Sequence, residues 1–98
     1  MWGGRVRFTW DEKKNQENQR DHQVSFELAR EVFADPLALS HMDRVEDGEQ
    51  RWQTMGMVGG TVILLVAHTV HEQEEEEVIR IISARKATKH ERRAYEEG

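Results

Sequence analysis

Three basic residues near the end of the chain could together hold an anion the size of a phosphate. Arg80 lies in an apolar segment, and Arg85 and Lys86 follow it just before Thr88. Thr88 and Glu91 have the spacing of a capping box, which predicts that a helix begins there. The free backbone N–H groups and the dipole at a helix N-terminus also favour an anion. We therefore expect these cations and the helix N-terminus to converge on one phosphate site.

The charged residues are segregated along the sequence. The net charge of −5 argues against a protein that binds nucleic acid with its whole surface, because phosphates are held by positive potential. The segment 72–77 contains five glutamates, however, whereas the segment 80–93 contains six cations and one acid. Charge runs are usually solvated faces of loops and helices, so a function for these cations depends on their convergence. The cations expected to hold a nucleic-acid phosphate backbone are Lys86, Lys89, Arg92 and Arg93.

His22 and His68 are candidates for moving a proton. If His68 lies opposite Arg51, the guanidinium should keep the imidazole neutral, so that it could accept a proton. The alternative for His68 is a half-buried strand histidine bonded to a neighbour. His68 and His71 should point to opposite faces, and no Asp or Cys completes a ligand set at metal-site spacing, so we expect no bound metal.

Several classes of protein are excluded by what the sequence lacks. There is no Cys, so neither a disulfide framework nor a thiolate metal site can form, which favours the cytoplasm. A glycine-rich phosphate loop, a GxSxG elbow and an HExxH motif are also absent. The longest apolar run, Val62 to Ala67, is too short to span a membrane. We expect a single soluble domain, 1–98, without a cofactor.

Local patterns predict the first elements of the chain. Val6, Phe8 and Trp10 alternate with polar residues, as in a half-buried strand. Asp11 can cap a helix that runs to about Asp21, although this helix has no hydrophobic face to bury. The sequence therefore predicts a strand followed by a polar helix.

A second helix and a loop are expected next. Ser25 is a suitable N-cap for a helix that should end at Asp35-Pro36. Residues 40–50 are polar and contain Asp47-Gly48, which indicates a loop or turn.

The pair Gly59-Gly60 predicts a hairpin with a two-residue turn, because glycine supplies the positive φ that tight turns need. In that register Arg51 faces His68 across the strands. The residues expected on the same side of this hairpin are Arg51, Met55, Leu64 and His68.

The residues 78–83 have the composition of a last strand, and the Thr88 cap begins a C-terminal helix. The order strand, two helices, three strands, helix predicts an α+β fold. Its antiparallel sheet should have about four strands, with the helices mainly on one face.

Strand alternation predicts which way Arg80 points. Arg80 should lie on an open face of the sheet, where its structural partner would be Glu49 or Glu46. A regular strand that continued through Ser83 to Lys86 would turn Arg80 and Arg85 to opposite faces. The shared phosphate site therefore requires a bend at the end of the strand.

Four blocks of sequence together resemble the BrnT-type toxins. They are Phe8 to Asn15, Val24 to Glu27 with Ala29, Arg44 to Trp52, and Arg80 to Thr88 with Glu91, Arg92 and Tyr95. The resemblance implies a RelE-like fold and a ribonuclease that arrests translation. It also implies neutralisation by a BrnA-type antitoxin that carries a ribbon-helix-helix DNA-binding segment. The toxin would then be linked to DNA only through the antitoxin. The sequence departs from the family pattern at Asp21 and Gln23, on either side of His22.

Metal-free RNA cleavage needs a base for the 2′-OH, cations for the charge on the phosphorane and an acid for the leaving oxygen. The hypothesis is that Arg80 and Arg85 clamp the phosphate while Arg51 and Lys86 assist. His22 or His68 is the base, and Glu49 orients Arg51 or acts as a second base. The alternative function is a module that binds RNA or a protein partner without chemistry.

Overall fold

The computed structural model describes residues 5–98 as one five-stranded sheet with helices on both faces. The strands are β1 (Arg5–Thr9), β2 (Leu39–Glu46), β3 (Glu49–Val58), β4 (Val62–Gln73) and β5 (Glu76–Lys86). The helices are α1 (Glu12–His22), α2 (Phe26–Ala29), which continues as a 3₁₀ turn (Arg30–Ala34), and α3 (Lys89–Glu97). No helix in this part of the chain is long and apolar enough to cross a membrane.

The strand order is β1-β5-β4-β3-β2. Strands β2 to β5 form an antiparallel meander, and β1 adds parallel to β5. The core face of the sheet carries Leu64, Val66 and Ile81, which pack with Phe26 and Val32 of the α2 segment. The other face, which we call the arginine face, carries Arg51, Arg80 and Arg85. Tyr95 of α3 packs on one end of the arginine face against Met55, Ile63 and Leu65.

The loop or turn expected at residues 40–50 is right only at Asp47-Gly48, because the residues on either side form strand β2 and its hairpin with β3. Asp47 and Gly48 both have positive φ, 52° and 78°, and make the tight turn between the strands. Strand β2 is an edge strand in which nearly every side chain is exposed. An exposed strand needs no apolar alternation, so the usual sequence signal of a strand is absent.

The predicted register of the β3–β4 hairpin is wrong by one residue. The turn has three residues, since Val58 pairs with Val62 across Gly59, Gly60 and Thr61. His68 therefore lies opposite Trp52 and not opposite Arg51. The expected grouping of Arg51, Met55, Leu64 and His68 fails as well, because Leu64 and His68 lie on the core face.

Helix α1 packs through asparagine in place of an apolar stripe. Asn18 is buried, and its side-chain N–H group donates to the carbonyl oxygens of Val24 and Ala84, both at 2.8 Å. Its Oδ1 accepts from the Ala84 backbone N–H at 3.1 Å. Strand β1 ends opposite Arg80, so Asn18 bonds to the edge of β5 that β1 leaves free. The amide replaces a neighbouring strand and fixes α1, with His22 at its end, beside the sheet.

Candidate functional site

A bulge in β5 decides which side chains reach the arginine face. Ile81 pairs with His68 and Ser83 pairs with Ala67, so Ile82 is an extra residue without a partner. Strand β5 continues to Lys86, and the expected bend after Ser83 is absent. The extra residue nevertheless shifts the alternation by one position. Arg80, opposite Thr69, and Arg85, opposite Leu65, therefore share one face of the sheet.

Four charged or titratable side chains meet at one end of this face. Glu49 Oε1 lies 2.7 Å from Nη2 of Arg80 and 3.9 Å from Nη2 of Arg51. Glu49 Oε2 lies 3.1 Å from Nε2 of His71. We call Glu49, Arg51, His71 and Arg80 the Glu49 cluster. The predicted pairing of Arg80 with Glu49 or Glu46 is confirmed for Glu49, and Glu46 lies 3.6 Å from Arg51.

The electrostatics of the Glu49 cluster favour bound anions. Burial opposes ionisation of Glu49, but Arg80 and His71 outweigh it and hold the pKa of the carboxyl below its usual range. Arg51 Nε and Thr69 Oγ1 are buried and have no hydrogen-bond partner among the described residues. Arg80 pairs with Thr69, and continuing the β3–β4 register by one residue beyond Trp52 and His68 brings Arg51 opposite Thr69 from the other side. Two guanidinium groups therefore flank the Thr69 hydroxyl.

Arg85 belongs to a different pair at the other end of the face. Its guanidinium donates two hydrogen bonds to Glu91, at 2.8 and 3.0 Å. The pKa of Glu91 is lowered to about 2, mainly by the hydrogen bond from Arg85 and against burial. Glu91 also accepts from the Thr88 backbone N–H at 2.9 Å and so completes the predicted capping box.

The expected convergence on one phosphate site is therefore wrong. The partners of Arg80 and Arg85 on β4 are four residues apart, which places the two backbones about 13 Å apart. The helix N-terminus already holds an anion, the Glu91 carboxylate. Lys86 follows Arg85 in the alternation, and its exposed side chain leaves the arginine face.

His68, one of the two predicted bases, lies on the core face. It is 3% exposed, and its Nε2 is 2.7 Å from Thr54 Oγ1. Burial lowers the pKa of His68 to about 4. The ring is therefore neutral, as expected, but burial and not Arg51 is the cause. An RNA strand on the arginine face cannot reach it.

His22, the other predicted base, lies at the exposed end of α1. It lines a cavity of about 260 Å³ with Gln53, Ser83 and Arg85 on the arginine face. The structure thus brings His22 to the same face as the Glu49 cluster but next to its other end.

Three of the predicted RNA-binding cations lie together on α3. Lys89, Arg92 and Arg93 line an open groove of about 450 Å³. Tyr95, at the end of the same helix, is buried and donates its hydroxyl hydrogen to Asp35. The groove is therefore a surface feature of a helix that Tyr95 anchors to the sheet.

His71 is the site residue that sequence reasoning missed, since spacing offered it only as a metal ligand. Register could have found it, because a hairpin that places Trp52 opposite His68 also places Glu49 opposite His71. The described residues contain no group of three or more His, Cys, Asp or Glu side chains that could hold a metal ion.

The chain matches one family model and a solved structure. The model of the BrnT ribonuclease toxin of type II toxin-antitoxin systems matches residues 10–91. The fold is similar to the 1.1 Å crystal structure of the Brucella abortus ribonuclease toxin BrnT, with a TM-score of 0.61 and 25% identity over 86% of this chain and 99% of that one. No curated protein matches the sequence. Because the family model covers most of the chain, this protein belongs to the BrnT family of ribonuclease toxins of type II toxin-antitoxin systems.

Proposed function

We propose that this toxin cleaves RNA at the Glu49 cluster, with Arg80 and Arg51 holding the scissile phosphate. The observation that carries the proposal is the position of the Glu49 carboxylate, 2.7 Å from one guanidinium and 3.9 Å from the other. A carboxylate and a phosphate are bound by arginine in the same way, through oxygens that accept from N–H groups. Glu49 therefore marks where a phosphate can bind.

The Arg80 to Glu49 contact is exchangeable. Arg80 is 40% exposed and makes one hydrogen bond to Glu49, so a phosphate can replace the carboxylate at little cost. Two guanidinium groups then face the phosphorane as its charge grows, which is the electrostatic part of catalysis. The site presents one carboxylate among three basic side chains, a donor set that suits an anion better than a divalent cation. The proposed reaction is therefore metal-independent.

The rest of the basic surface binds the RNA on either side of the cleaved bond. The groove of Lys89, Arg92 and Arg93 gives positive charge without any contact to bases, so it supports affinity more than sequence preference. His22, beside Ser83, is placed to contact a neighbouring nucleotide. Arg85 acts through Glu91 by fixing the start of α3, and Lys86 adds charge at the end of β5. Translation stops when the cleaved RNA is messenger.

The toxin class requires an antitoxin, and we propose one of the BrnA type, with a ribbon-helix-helix segment. Its toxin-binding part should place acidic or apolar groups over Arg80 and the α3 groove, because it must exclude RNA from them. Adding the neighbouring gene's product should abolish cleavage. A toxin-antitoxin complex that still cleaves RNA would contradict this proposal.

The test of the proposed function is cleavage of a labelled RNA in EDTA by the purified toxin. We expect wild-type protein to produce fragments with 2′,3′-cyclic phosphate ends, and Arg80→Ala to lose about 10²- to 10³-fold in rate, as when one oxyanion contact is removed. Arg20→Ala is the matched control, because Arg20 is an exposed arginine of α1 whose ion pair, among residues 5–98, is with the neighbouring Asp21 alone. Binding without any cleavage would favour the non-catalytic module instead.

A further inference from the structure

His71 is the histidine of the Glu49 cluster. Its side chain is 52% exposed and stands on the arginine face, where an RNA strand can reach it. His68, which lies on the same strand, is buried on the opposite face. The contact with Glu49 and the accessibility of the ring together make His71 a candidate for proton transfer.

The hydrogen bond to Glu49 fixes the state of the His71 ring. An ionised carboxylate has no hydrogen to donate, so the Nε2 atom of His71 must carry the hydrogen of this 3.1 Å contact. In the neutral ring the other nitrogen, Nδ1, then has a free lone pair. Glu49 thus does for His71 what an orienting carboxylate does in other histidine dyads: it selects the tautomer and fixes the orientation of the ring.

We propose that His71 is the general base of the ribonuclease reaction, with Glu49 as the residue that positions it. This inference rests on the proposed function. Nδ1 of His71 takes the proton from the ribose 2′-OH, and the 2′-oxygen forms a bond to phosphorus. The bond from phosphorus to the 5′-oxygen breaks, and the leaving oxygen takes a proton from a water molecule. The imidazolium returns its proton to solvent, so the products are a 2′,3′-cyclic phosphate and a 5′-hydroxyl.

The neighbouring groups explain why the base is His71 and not Glu49. Arg80 and His71 hold Glu49 ionised with a lowered pKa, and a weakly basic carboxylate is a poor acceptor for a hydroxyl proton. The charged side chains on the strands around His71, on the same face, are Glu49 and Arg51 of β3, Arg80 and Glu76 of β5, and Arg7 of β1, which pairs with Glu76. Of these, Glu49 makes the direct contact. The phosphate that binds to Arg80 would bring the adjacent ribose towards the histidine ring.

The experiment compares His71→Ala with His41→Ala by measuring cleavage of a labelled RNA in EDTA across pH. His41 is an exposed histidine of β2 on the same face and is the matched control. We expect His71→Ala to lose about 10²- to 10³-fold in kcat, as for a general base, with unchanged affinity for a 2′-O-methyl RNA. The wild-type rate should fall as acid protonates the base, and this acid limb should be absent from the variant. Added imidazole should restore part of its rate.

Glu49→Gln is the second variant. It should lower kcat less than His71→Ala and leave the affinity for a 2′-O-methyl RNA undiminished, because the ring loses only the carboxylate that selects its tautomer. Full activity and an unchanged pH profile in His71→Ala would overturn the role of His71. Loss of the acid limb in His22→Ala, with the limb retained in His71→Ala, would transfer the role to His22. A wild-type protein without cleavage contradicts the proposed function itself, which separates the two failures.

Discussion

Arg80 and Arg85 lie on the same strand and the same face, and each pairs with a glutamate, yet the two pairs differ in how many bonds hold them. Each arginine side chain is 40% exposed, and each meets its glutamate within 3 Å. Glu91, however, accepts two bonds from Arg85 and a third from the backbone N–H of Thr88, the N-cap of α3. Glu49 makes one short bond to Arg80 and shares its other oxygen with His71.

These two pairs show that the exposure and charge of an arginine do not by themselves identify it as ligand-binding. What distinguishes the two pairs is the number of bonds that a substrate would have to break. A phosphate at Arg85 would displace a carboxylate that also holds the helix start, whereas a phosphate at Arg80 displaces a single contact. We therefore propose that Arg80 binds the substrate and that Arg85 has a structural role.

The proposal that Arg80 and not Arg85 binds the substrate is tested most directly by measuring cleavage by Arg80→Ala and Arg85→Ala in one assay. We expect the about 10²- to 10³-fold loss of kcat/KM only in Arg80→Ala, since it alone removes a contact to the phosphorane. Arg85→Ala should stay within about tenfold of wild type at a temperature where it is folded. Equal losses in the two variants, with both proteins folded, would show that the two arginines share one phosphate after all.

The reverse order is expected for stability. Glu91→Ala removes a capping contact and a bidentate ion pair, so its free energy of unfolding in urea should fall by about 1–2 kcal/mol, and the change in Glu49→Ala should be clearly smaller. The low pKa of Glu91 means that the folded state favours its ionised form. Its contribution should be present above pH 4.5 and lost as the pH falls towards 2. Glu91→Ala and wild type should therefore converge in stability in acid, and a constant difference would contradict the assignment.

The smallest effect concerns the α3 groove. The double variant Arg92→Ala/Arg93→Ala should weaken binding of a 2′-O-methyl RNA several-fold. It should also reduce the dependence of log Kd on log salt, by up to about 0.7 for each phosphate that the variant no longer neutralises. Because the groove lies away from the Glu49 cluster, kcat at saturating RNA should be unchanged. Fluorescence anisotropy at several salt concentrations measures the binding, with Arg20→Ala as control. A fall in kcat would place the groove at the scissile bond.

The parts of the fold that sequence predicted are those with local signals. Strand β1 shows period-two alternation, and the Thr88 to Glu91 spacing gives the start of α3 because both bonds of the box form within one turn. The α+β class follows from the order of elements. The parts that failed depend on distant residues. Gly59-Gly60 is compatible with either a two-residue or a three-residue turn, and packing against α2 decides between them.

For the site as well, the sequence predicted the features with local signals and missed those that depend on distant residues. Alternation along β5 correctly put Arg80 on an open face, with Glu49 as an expected partner. The bulge at Ile82 has no local signature, so the relation between Arg80 and Arg85 could not be predicted. The pairing of Arg85 with Glu91 was missed although the capping box was predicted. The box already gives the Glu91 carboxylate a hydrogen-bond partner, so nothing in the sequence indicated a second one. His71 was missed because its contact with Glu49 depends on the register between β3 and β4.

Asn18 also bears on how the toxin avoids assembling with itself. The edge of β5 beyond Arg80 would otherwise offer an unpaired N–H and C=O at Ala84, the kind of edge on which the strands of other chains add and aggregates grow. One asparagine on a helix without apolar side chains blocks it. Variants with leucine in place of Asn18 would have a more hydrophobic α1. They would also leave this edge of the sheet open to the strands of other chains, so the polar character of α1 protects the protein from edge-to-edge aggregation.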